Sequence, residues 1–162
     1  MRYFLDTEFI EDGKTIDLIS IGIVLEDGRE YYAENEECDL LKASEWVKEN
    51  VLKNLRGGQF IKKKKQIAHE IICFIDENPE FWGYFADYDW VVFCQLFGTM
   101  MDLPKNFPMY CRDIKQLIDD NPSKVLLPPC RGEHNALNDA RWNKEVFQYL
   151  TSNPYELNKK KE

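Results

Sequence analysis

Branched and aromatic side chains concentrate in three short runs near the start of the chain. Arg2 to Leu5 and Ile16 to Leu25 read as strands, with Asp12-Gly13 between them as a turn signal. Arg29 to Ala33 follows a second such pair, Asp27-Gly28, and a short Asp-Gly connection is a strong local sign of an antiparallel hairpin. The chain is therefore expected to open as a three-stranded meander.

Helical spacing takes over beyond it. Trp46, Val47, Val51, Leu52 and Leu55 suit a short helix from about Ser44 to Leu55, ended by Gly57-Gly58. Ile67, Ile71, Phe74 and Ile75 form one stripe of a second helix, which Asn78-Pro79 terminates. Phe81 to Phe85 then reads as a buried strand, Tyr88 to Phe97 as a helix, Met109 to Arg112 as a short strand and Asp113 to Asp119 as a helix. After Leu127-Pro128-Pro129 comes a last helix, on which Ala136, Ala140, Asn143, Phe147 and Leu150 recur at helical spacing. Hairpin-linked strands followed by alternating helices and strands predict an α/β fold with a mixed five-stranded sheet. One domain is expected over 1–152, with a charged tail at 153–162.

Composition agrees with this plan. The 162 residues are 44% hydrophobic and 31% charged, which suits one globular core and excludes a disordered chain. The N-terminus meets acids by its sixth residue, and no apolar run approaches the length of a bilayer span, so a cytoplasmic protein without membrane contact is expected. Five cysteines without a CxxC pair read as buried thiols of a reducing compartment, not as a zinc site. The formal charge of −8 argues against a polyanionic partner, unless some of the carboxylates hold divalent cations that reset the local charge.

Candidate chemistry lies in three places. Asp6 and Glu8 are two apart on the first strand, so both carboxylates point to one face, flanked by apolar residues where two like charges repel unless a cation joins them. Three other acid-x-acid pairs occur (Glu34/Glu36, Glu37/Asp39, Asp87/Asp89), and most such pairs are merely solvated. Asp89 opens an apolar helix, where it could bind metal or cap the helix. Asp139 lies at the edge of the last helix's apolar stripe, within reach of the first strand, and His134 belongs to the loop before that helix. His69 reads as an ordinary surface or packing histidine.

These residues resemble the DEDDh 3′–5′ exonucleases of the ribonuclease H-like fold. Asp6-Thr7-Glu8 looks like their first motif, Ile16 to Gly22 like the following strand, Tyr88-Asp89 like the end of the second motif, and His134-x-Ala136-Leu137-x-Asp139-Ala140 like the third. The likeness spans position 5 to about 147 and is strongest to small stand-alone bacterial exoribonucleases. Phe9-Ile10 replaces the Thr-Gly common after the first acidic pair, and the Asn that often opens the second motif is absent from Tyr84 to Ala86.

The resemblance implies helices on both sheet faces and two Mg²⁺ or Mn²⁺ ions held by Asp6, Glu8, Asp89 and Asp139, with Asp6 bridging. It implies His134 as general base and Phe9 against the terminal base, although Phe9 also suits the core. Single-stranded RNA or a 3′ overhang is the implied partner, with nucleoside 5′-monophosphates as products. DNA as substrate, a lapsed nucleic-acid-binding module, an endonuclease of the same fold and a homodimer remain open. Lys62 to Lys65 could grip phosphates or form a solvated face.

Overall fold

The long strands alternate their side chains between two buried faces, so each can be covered by helices on both sides. The computed structural model describes residues 1–120 and 126–152; the expected tail at 153–162 lies outside them. Strands β1 (Arg2–Glu11), β2 (Ile16–Leu25) and β3 (Glu30–Asn35) form the antiparallel meander that the two Asp-Gly turns predict. Three short strands, β4 (Ile61–Lys62), β5 (Glu80–Gly83) and β6 (Arg112–Asp113), run parallel to β3, β1 and β5.

Among the described residues the sheet therefore has six strands, in the order β4-β3-β2-β1-β5-β6, and not the expected five. The added strand, β4, pairs only with Glu34 and Asn35 and has no hydrophobic run of its own. β1 also runs six residues beyond Leu5, because its backbone ladder to β2 continues whatever the side chains carry.

Helices α1 (Glu45–Asn50), α2 (Lys64–Phe74), α3 (Asp87–Gln95), α4 (Ile114–Asp119) and α5 (Ala136–Ser152) complete the fold. Tyr3, Leu5, Ile21 and Ile23 pack with Ile67, Ile71 and Phe93 of α2 and α3. On the opposite face Phe4 packs with Ile114, Val146 and Phe147, and Val24 with Ala136 and Ala140. The helix expected to reach Leu55 stops at Asn50 and continues as a tighter turn over Leu52–Asn54. The strand expected over Met109 to Arg112 moves to Arg112–Asp113, where pairing to β5 sets it.

One contact fixes α5 against the sheet. Gly22 is the register partner of Asp6, and a Cβ on it would lie 2.3 Å from the Ala136 carbonyl oxygen. Only glycine lets the first turn of α5 press onto β2 there.

Candidate active site

Strand alternation places Asp6 and Glu8 on the face of Phe4, which is the face α5 covers. Beyond Glu8 the register slips: Glu8 pairs with Ser20 and Phe9 with Leu18, a bulge that bends the sheet beside the acids. Asp139 lies in the first turn of α5, held there by the Gly22–Ala136 contact. As its place at the edge of the apolar stripe suggested, Asp139 meets the first strand. Carboxylate oxygens of Asp6, Glu8 and Asp139 all lie within 4.8 Å of one another.

Asp89 comes from α3, the helix after β5. Its Oδ1 accepts hydrogen bonds from the Thr7 N–H and the Thr7 hydroxyl, both at 2.7 Å, and the side chain is buried. The N-cap of α3 is Ala86, with no side-chain cap, and Asp89 in the first turn accepts both bonds from Thr7 of β1.

No lysine or arginine among the described residues forms an ion pair with any of these four acids. Burial, then the charges of Asp89, Asp139 and Glu8, pushes the Asp6 carboxyl far above the usual range. Burial, then Asp139 and Asp89, pushes Glu8 up to about 8. Burial carries Asp89 to about 6 despite the two bonds from Thr7, and it raises Asp139 against donation from Cys130 and the backbone. Like charges crowded out of water repel unless cations join them, and clustered carboxylate oxygens are the donor set that Mg²⁺ and Mn²⁺ prefer. The residues fit such ions.

His134 sits in the loop before α5 with a left-handed φ of 64°. Three elements hold it there. Its N–H donates to Asp139 Oδ2 at 2.9 Å, its carbonyl accepts from Asn54 Nδ2 at 3.1 Å, and its ring meets Trp46 edge-on at 4.8 Å. The Asn54 carbonyl in turn accepts from Asn135 Nδ2 at 3.0 Å, closing a reciprocal clasp between the two segments. Asp6, Asp139 and His134 line one open cleft of about 310 Å³, together with Tyr84, Trp142 and Asn143.

The remaining candidates lie outside this cluster. Phe9 is partly buried against the core of α2 and α3, its ring 5.8 Å from exposed Tyr88. Lys62 and Lys64 are engaged with Glu70 at 2.5 Å and Asp17 at 2.6 Å, and none of the four lysines lines the cleft. His69 is exposed on α2 beside Cys73. The cysteines are free thiols, but only Cys38 and Cys94 are buried; Cys73 is exposed, and Cys130 donates to Asp139 Oδ1 at 3.1 Å.

Thr7, Asn54, Asn135 and Cys130 are site residues that the sequence reading passed over. Thr7 could have been found, since it lies between the two acids and points to the face opposite theirs. The two asparagines bond backbone carbonyls far along the chain and carry no local signal.

The fold resembles that of S. pombe Pop2p, solved with Mg²⁺ and Mn²⁺ bound, with a TM-score of 0.59 over 96% of this chain and 84% of that one at 13% identity. This is the ribonuclease H-like fold. Residues 1–151 match the Rv2179c-like 3′–5′ exoribonuclease domain, and the chain belongs to that family. The 3′–5′ exoribonuclease Rv2179c of Mycobacterium tuberculosis H37Rv is 43% identical over 158 residues, covering 94% of each chain, and the 3′–5′ exoribonuclease MT2234.1 of strain CDC 1551 matches equally. Among the described residues, no helix is long and apolar enough to cross a membrane.

Proposed function

We propose that the chain removes nucleotides one at a time from the 3′ end of single-stranded RNA, a 3′ overhang or a short oligoribonucleotide, releasing nucleoside 5′-monophosphates. The meeting of three carboxylates from β1 and α5, with Asp89 beside them, carries this reading. Asp6, Glu8, Asp89 and Asp139 would hold two Mg²⁺ or Mn²⁺ ions. Such ions, when bound, make water a stronger nucleophile and offset charge on the leaving oxygen.

The protein's own part begins with His134. Imidazole is the side chain suited to proton transfer at neutral pH, and a His134 ring nitrogen accepts the proton of the attacking water. Asn54 and Asp139 hold the backbone that aims it, and Trp46 limits the ring's swing. Phe9 offers an apolar surface to the terminal base, a contact that tolerates any base.

A 5′-labelled single-stranded RNA incubated with Mn²⁺ tests the reading. The expected result is a ladder of 3′-shortened products, lost when the 3′ end is blocked. His134→Ala should slow it by about 10²- to 10⁴-fold and keep the rise in melting temperature on adding Mn²⁺, whereas Asp6→Ala should lose both. No ladder at high enzyme would favour a binding module, cutting of the blocked strand an endonuclease, and a ladder on DNA alone a deoxyribonuclease.

A further inference from the structure

The chain leaves β5 through Tyr84 and Phe85, in a conformation that core packing does not account for. Phe85 has a φ of 53°, a region in which a bulky side chain is strained, yet the residue is 60% exposed. Asp113, which caps α4, enforces the turn by accepting from the Phe85 and Ala86 N–H groups at 3.3 and 3.1 Å. The fold thus strains its backbone to present an aromatic ring to water. Strain of this kind points to a ligand.

The surroundings identify the ligand's chemistry. Phe85 meets Tyr84 edge-on at 4.7 Å, and Tyr84 meets Trp142 edge-on at 5.0 Å. Tyr84 and Trp142 line the cleft of Asp6, Asp139 and His134, so the aromatic run begins at the carboxylates and ends at the exposed ring. Positive charge accompanies it. Lys115 Nζ lies 5.9 Å from the Phe85 ring centre, and an adjoining cleft that shares Trp142 presents Arg131 and Arg141. Arg141 is bound to Glu30 at 2.6 Å and Lys115 to Asp119, while Arg131 forms no ion pair among the described residues.

Aromatic faces set among cations, on a chain of net charge −8, match unpaired bases joined by phosphates. We infer that Tyr84 and Phe85 form a stacking shelf for a base of single-stranded RNA upstream of the nucleotide being removed, with Lys115 and Arg131 beside its phosphates. The inference rests on the proposed function for naming RNA as the strand and for placing the base upstream of the nucleotide removed.

The test compares wild type, Phe85→Ala and Phe85→Gly for affinity toward a fluorescent, hydrolysis-resistant phosphorothioate decaribonucleotide and toward a nucleoside 5′-monophosphate. Loss of one stacked base should lower the decamer-to-mononucleotide affinity ratio about tenfold in both variants. Phe85→Gly should also melt about 3 °C above Phe85→Ala, since only glycine relieves the left-handed strain. An unchanged ratio would overturn the shelf, as would equal losses for both ligands, which mark a merely structural residue. A wild type that degrades no RNA but shows the ratio change would sink the exonuclease reading and keep the shelf; a normal ladder with an unchanged ratio would do the reverse.

Discussion

Stripping divalent cations should make this fold sensitive to pH in a direction that the carboxylate cluster dictates. Glu8 holds its proton up to about pH 8 in the fold, against an ordinary value of 4.5. Between those values the folded chain binds more protons at Glu8 than the unfolded one, so the stability that protonated Glu8 contributes is full below pH 4.5 and is lost as pH rises toward 8. At about 1.4 kcal/mol per pH unit, the loss by neutral pH is on the order of 3 kcal/mol, or about 9 °C in melting temperature for a domain this size. Asp89, raised to about 6, steepens the acidic half of the decline.

The assay is calorimetric melting in EDTA from about pH 5 to pH 7.5, repeated with saturating Mn²⁺, which should restore most of the loss at the upper end. Glu8→Gln has no proton to lose there, so in EDTA at neutral pH it should melt above wild type with a flatter profile. A level profile for chelated wild type, or a slope in Glu8→Gln as steep as in wild type, would refute the electrostatic account.

Two further outcomes follow from the site's supports. Asn54→Asp keeps the shape of the side chain but turns an acceptor toward the carbonyls of Asn50, Glu133 and His134, so kcat should fall about 10²-fold with the Mn²⁺-induced rise in melting temperature retained. In a His134→Ala background the same change should cost nothing more, and an additive loss would show that Asn54 does not act through His134. Gly22→Ala drives a methyl into the Ala136 carbonyl, so urea unfolding should show a loss of about 3 kcal/mol, together with lost turnover as Asp139 is pushed from Asp6. Native-like stability with full activity would remove that contact from the explanation.

The meander could be read from local chemistry, because two Asp-Gly pairs and three apolar runs determine it within about thirty residues. Asp6, Glu8 and Asp139 could be brought together from two periodicities, two for the strand and 3.6 for the helix. What stayed hidden depends on tertiary partners. β4 is two residues long and exists only because β3 pairs with it, while pairing to β5 moves the expected strand at Met109 to Arg112 on to Arg112–Asp113. Asp89 fits a helix cap equally well until Thr7 is seen to donate to it. Asn54 reaches a carbonyl 80 residues away, and no spacing rule announces an amide–carbonyl bond of that range. The strain at Phe85 belongs to the backbone, which hydrophobic patterning does not record.

The seating of α5 on Gly22 also bears on when activity can first appear. Asp139 and the His134 loop emerge from synthesis well over a hundred residues after Asp6 and Glu8, with helix α5. On the proposed reading, a chain cut short before Ala136 lacks Asp139 and should degrade no RNA.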